Sequence, residues 1–124
     1  MHRAIGGFSH GVIDYLMVII LAIGPSVAGF HGHQALLCYA LAIVHLLLTI
    51  VTRFPLGVFK FVSFQAHGAI EVIVGVLLIV LPWISNFSAG VHSRNFFVAI
   101  GLIILVVFAL TDYRGLRAPG RRLV

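Results

Sequence analysis

The stretch "HGVIDYLMVIILAIGPSVAGF" (residues 10–30) lies without gaps over "HGAIEVIVGVLLIVLPWISNF" (residues 67–87). His10 falls on His67, Gly11 on Gly68, Ile13 on Ile70, Asp14 on Glu71, Pro25 on Pro82 and Phe30 on Phe87. Upstream, Arg3 falls on Lys60. Both stretches are continuous apolar runs rather than alternating ones, so they read as helices and not as strands. The segments that follow match more weakly: "LTIVTRF" (48–54) resembles "VFALTDY" (107–113) once two extra residues are admitted in the second outer loop. The pattern predicts a duplicated helical hairpin, repeat one covering about 3–57 and repeat two about 60–116, within a single membrane domain of residues 1–124. Because each unit holds two helices, the repeats should run parallel, related by an axis along the membrane normal.

Composition agrees with a membrane setting. Of the 124 residues, 61% are hydrophobic and 9% charged, and the mean hydropathy is +1.17. A soluble domain of this size has too little interior to hide so much apolar surface. Four apolar segments, 8–29, 35–52, 68–87 and 96–111, approach the length needed to cross a hydrocarbon core of ~30 Å. The expected class is therefore all-α: an integral membrane four-helix bundle made of two parallel helical-hairpin repeats. The net charge of +5 does not point to nucleic acid, because the basic residues collect at segment ends, as lipid-contacting and topology-setting residues do. Arg3, Arg53, Lys60, Arg114, Arg117, Arg121 and Arg122 fall at the termini and middle loop, and only Arg94 falls between the other helix ends. The positive-inside rule then places both termini and the middle loop in the cytoplasm. Trp83, Phe87 and Phe30 would form one aromatic belt, and Phe54, Phe59, Phe61 and Tyr113 the other.

"MHR" and "SVA" (26–28) have the look of a signal-peptide start and cleavage site, but Asp14 inside the apolar run and the repeat itself argue against cleavage. The single cysteine, Cys38, excludes an intrachain disulfide.

"HGVIDY", "AIGPSVAGF", "AHGAIEV", "VLPWISNF" and "LTDYRGL" together resemble the small bacterial SPW-repeat integral membrane proteins. The resemblance covers nearly the whole chain. The sequence departs from the signature in carrying "GPS" in the first repeat and "LPW" in the second. The resemblance implies a four-helix protein of the bacterial inner membrane and implies no biochemical activity.

His10 and Asp14 are four residues apart, as are His67 and Glu71, so each pair shares a helix face. The repeat puts both pairs at one depth. Across a bundle axis they would form a His10, Asp14, His67, Glu71 quartet suited to a divalent transition metal such as Zn, Fe or Mn. A second account is haem b ligated by His10 and His67, with Gly11 and Gly68 leaving room for the macrocycle and Arg3 and Lys60 meeting propionates. A proton or ion relay is a third. The plainest account is a polar lock, each histidine pairing with its own acid and fixing helix rotation.

His31 and His33 with His92 form a second, acid-free group at the other face. His45 is expected to sit alone mid-helix, bonded to a neighbour's carbonyl, with axial haem ligation as the alternative. Pro25 and Pro82 are expected to stop their helices. Gly101, Ala40, Ala42 and Ala99 are expected to permit close helix packing. No nucleotide loop, Ser-His-Asp set or CxxC is present. The expected role is non-enzymatic: a small membrane subunit or assembly partner, as a homo-oligomer or within a larger membrane complex. A metal- or haem-binding protein and a proton or ion transporter or channel are the alternatives.

Overall fold

The computed structural model describes residues 4–113. Arg3, Arg114, Arg117, Arg121 and Arg122, counted above for topology, lie outside the described residues. Four helices follow in order: α1 (Gly7–Ala28), α2 (Gly32–Ile50), α3 (Phe64–Ile84) and α4 (Val91–Leu110). All four are long and apolar enough to cross a membrane. The protein is an all-α, four-helix integral membrane bundle. α1 packs along α2, α3 packs along α4, and α1 also touches α4.

The bundle inverts the soluble pattern. Leu16, Ile19, Ile43, Leu47, Ile73, Leu102 and Val106 face outward, where hydrocarbon rather than water meets them. His10, Asp14, His45, Thr49, Thr52, His67, Glu71 and Thr111 are buried. The interior has two ends. Met17, Leu21, Phe30, Cys38, Ala42, Leu78, Phe87, Phe97, Ile100 and Ile104 make an apolar core; the polar residues just named gather at the end where α1 and α3 begin, and buried Ser93 sits at the other.

That end is tied by backbone bonds made twice. Ile5 N–H donates to Leu110 O (3.0 Å) and Asp112 N–H to Ile5 O (2.8 Å). Val62 N–H donates to Val51 O (2.8 Å) and Arg53 N–H to Val62 O (2.7 Å). The segment before α1 is thus stitched to the end of α4, and the segment before α3 to the end of α2. Ile5 and Val62 are 57 positions apart, and the residues at the ends of α2 and α4 are 59 apart, the two offsets found in the sequence.

The prolines do not stop their helices. α1 continues through Pro25 to Ala28, and α3 through Pro82 to Ile84. The turn away comes from a left-handed residue beyond, Gly29 (φ 80°) or Asn86 (φ 61°). Phe30 N–H then closes on Pro25 O (2.9 Å) and Phe87 N–H on Pro82 O (2.8 Å). A proline inside a helix strips the carbonyl four residues earlier of its donor, a serious loss in hydrocarbon. For Pro25 that carbonyl is Leu21 O, and the Cys38 thiol of α2 donates to it at 3.1 Å.

Close packing is concentrated between α3 and α4. A Cβ at Gly101 would lie 2.6 Å from Gly75 O, so these backbones approach as only glycine allows. Ala42 is buried, whereas Ala40 and Ala99 face outward and take no part. The aromatic belts are also only partly as expected: Trp83, Phe59 and Phe61 are exposed, but Phe30, Phe54 and Phe87 are buried.

Candidate metal centre

His10 and His67 are each the fourth residue of their helices, and Asp14 and Glu71 each the eighth. At 1.5 Å per residue the acids sit about 10 Å in from the helix starts. The structure brings all four residues together as one group rather than two separate pairs. One ligand atom from each can be chosen so that all lie within 4.8 Å of one another, and all four residues are buried.

The distances run around a ring. His10 Nε2 is 3.2 Å from Asp14 Oδ2 and 3.1 Å from Glu71 Oε1. His67 Nε2 is 2.9 Å from Asp14 Oδ2 and 3.1 Å from Glu71 Oε2. Each imidazole nitrogen therefore divides its approach between both acids. Yet His10 Nε2, His67 Nε2, Asp14 Oδ2 and Glu71 Oε1 form no aligned hydrogen bond, although all are buried.

The other imidazole nitrogen is held from the neighbouring hairpin. His10 Nδ1 lies 2.9 Å from Thr111 Oγ1, and His67 Nδ1 lies 2.7 Å from Thr52 Oγ1. Each threonine hydroxyl donates its one proton back along its own helix, Thr111 to Val107 O (2.6 Å) and Thr52 to Leu48 O (2.5 Å). The threonine oxygens must then accept, so both Nδ1 atoms carry hydrogen. In a neutral imidazole that leaves Nε2 a bare lone pair aimed at carboxylate oxygens. Acceptor facing acceptor in a dry interior is unfavourable unless positive charge lies between them. Holding a ligating histidine by its other nitrogen is how metal sites fix ring orientation.

The group is covered from the chain-end side. Phe54, Phe64 and Tyr113 surround the two histidine rings at centroid distances of 5.2–6.2 Å. Leu56 lies against Gly11 and the Tyr113 ring against Gly68, close enough that a Cβ at either glycine would crowd them. Tyr15 Oη donates to Leu56 O (2.9 Å) and Gln65 Nε2 to Tyr113 O (2.9 Å), pinning both covers. The space that the haem account gave to a macrocycle is thus filled by this chain's own side chains, and both Nε2 atoms already meet one carboxylate oxygen. Haem b does not fit between His10 and His67. Lys60, assigned there to a propionate, donates to Phe54 O (2.7 Å).

His45 is not alone mid-helix. Its Nε2 lies 3.6 Å from Asp14 Oδ1 and 3.9 Å from Glu71 Oε2, so α2 adds a fifth polar side chain. Sequence reasoning missed it because position 45 has no histidine partner in the second hairpin: Ile104 stands there. The one available signal was that His45 is five residues from the end of α2, near the depth of the acids. His31, His33 and His92 are exposed, and the ring contact of His33 with Phe87, at 6.4 Å, is its packing. Among the described residues the inner group is the one cluster with the makings of a metal site.

Comparison with protein-family models, curated proteins and solved structures finds no match for this chain.

Proposed function

We propose that the chain is a membrane metal-binding protein in which His10, Asp14, His67 and Glu71 hold one divalent transition ion. The observation that carries this is the pair of Nε2 atoms, each poised between both acids, buried and without an aligned hydrogen bond. Nitrogen and oxygen atoms only 2.9–3.2 Å apart are near enough to share one ion with ligand bonds of about 2.0–2.2 Å. Two carboxylates and two neutral imidazoles neutralise a charge of two, and the mixed N/O set suits Zn, Fe or Mn.

The role is one of binding, not turnover. The apolar core between this group and the far end of the bundle supports a closed site over a channel through one protomer. The matched backbone ties and matched polar pairs support a hairpin duplicated in parallel, in keeping with the SPW-repeat resemblance. Arg53 and Lys60 lie at the polar end, which supports placing that end on the cytoplasmic side of a bacterial inner membrane. Wide apolar outer faces leave room for a homo-oligomer or a larger membrane complex.

Elemental analysis of detergent-purified protein, prepared without chelator, tests the metal. The wild type should carry about one transition ion per chain after equilibration with Zn, Fe or Mn, and Asp14→Asn should carry none. At free metal 100-fold above Kd the ion should add about 2.7 kcal/mol of stability. Wild-type protein that stays metal-free, with an unchanged melting temperature, overturns the proposal and leaves an imidazolium–carboxylate lock.

A further inference from the structure

His45 carries an inference that rests on the metal reading and deepens it. Its side chain is 93% buried, its Nε2 makes no hydrogen bond, and that nitrogen faces Asp14 and Glu71 across a gap. Beside these groups lies a small cavity lined in part by Asp14, His45, Glu71 and Ile104, with about 10 Å³ of free space, the room of about one water. A buried imidazole nitrogen without a partner is costly. Nothing in the ring of four satisfies it: the nearest oxygens, at 3.6 and 3.9 Å, are beyond hydrogen-bond reach. Asp14 Oδ1 and Glu71 Oε2 belong to the same two carboxylates that meet His10 and His67, so His45 reaches both acids from the α2 side.

We infer that His45 is a fifth ligand, closing on the bound ion from α2 and making the centre a three-histidine, two-carboxylate site. This ligand breaks the symmetry of the centre, because the matching position on α4 is Ile104, which cannot coordinate. The site is therefore built from three helices: α1 and α3 each give one histidine and one acid, and α2 gives the last histidine. A five-ligand N/O set favours an ion that accepts more than four ligands, so Mn or Fe should compete better against Zn here than at a four-ligand tetrahedral site.

Loading with Cu²⁺ as probe, in protein labelled with ¹⁵N at histidine, tests this by counting coupled nitrogens in pulsed paramagnetic resonance. Wild type should show three ligating imidazoles. His45→Ile, which copies the counterpart at 104, should still bind one Cu²⁺ but show two. Three nitrogens in the wild type with loss of one in His45→Ile supports the inference. Two nitrogens in the wild type, with Cu²⁺ bound, overturns it and leaves the four-residue site standing. Absence of any bound Cu²⁺, Zn²⁺ or Mn²⁺ from the wild type overturns the metal reading itself. If His45→Ile does not fold, the wild-type nitrogen count decides alone.

Discussion

The two hairpins make the same frame from different side chains. Each supplies a histidine and an acid from its first helix, a threonine from the end of its second, and a proline near the far end of its first. Each threonine serves the other hairpin's histidine, so neither hairpin orients its own imidazole. Around this shared set the hairpins diverge. α3 and α4 meet through Gly75 and Gly101, while the matching positions of α1 and α2 hold Val18 and Ala42. Cys38 answers the carbonyl freed by Pro25, while Phe97 stands at its counterpart. His45 faces the acids where α4 has Ile104, and Phe54 stands where α4 ends in Tyr113. What is common to both hairpins is what the polar centre requires; what differs is packing solved locally, twice.

The largest effect should come from breaking what is shared. His10→Ala and His67→Ala should each remove the bound ion entirely, and by similar amounts in stability, because both feed one centre. Removing one partner of a buried charged group costs about 3–5 kcal/mol. The double variant should lose far less than the sum, since residues in one network couple. Thermal melts and metal content of the three variants check this. Strict additivity, or loss in one hairpin only, would show two independent pairs.

The next effect should come from a difference. Gly101→Val places a side chain against Gly75 O, and neither backbone can yield without parting α3 from α4. Overpacking of this kind costs about 1–3 kcal/mol. Ala42→Val, its counterpart, should cost less, because position 42 already carries a Cβ and so has no backbone approach that only glycine allows. Equal losses in the melting temperatures would mean that the glycine contact is incidental.

The contrast also sorts what the sequence could disclose. The four spans, the histidine–acid pairs and their convergence were legible, because apolar run length marks a span and residues four apart share a helix face. Helix ends shifted by up to five residues, since α4 starts at Val91 with "VHSRN" before its apolar run. His45 was not legible, because repeat matching looks only for what recurs. Leu56 and Tyr113 were not legible as covers either: both lie after a helix end, and their seats on Gly11 and Gly68 arise from chain reversal. Pro25 looked like a stop because its missing bond is visible in sequence, while the thiol that answers it lies on another helix.

Cys38 offers a smaller, sharper test. Cys38→Val keeps bulk but removes the donor to Leu21 O, and should cost about 1 kcal/mol. Cys38→Ser keeps a donor and should hold most of that stability. The matching change in hairpin two, Phe97→Leu, touches no such bond, and its cost should track lost ring contacts with Phe30, Phe87 and Phe96 alone. If serine and valine at position 38 melt alike, the thiol is only filling space.

The smallest effect is expected at Tyr113, and it separates a cover from a participant. Its hydroxyl is buried and makes no aligned hydrogen bond. Burial, with the charge of Glu71 added to it, holds the phenol above its ordinary range, so it stays neutral. The ring, by contrast, has clear work, packing on Phe64 at 4.6 Å, on Phe108 at 5.4 Å and on His10 at 5.7 Å. Tyr113→Phe removes only the hydroxyl and installs the residue that hairpin one already carries at position 54. Deleting a buried polar group that makes no aligned hydrogen bond is neutral to stabilising, so the change in stability should stay within about 0.5 kcal/mol or favour the variant. Metal affinity should not move. If the hydroxyl instead steadied Glu71 in the loaded protein, Tyr113→Phe would weaken the ion by about 10–100-fold, as loss of an outer partner does. Parallel melts and metal titrations of wild type and Tyr113→Phe distinguish the two, and a weakened ion would make Tyr113 a second break in the symmetry beside His45.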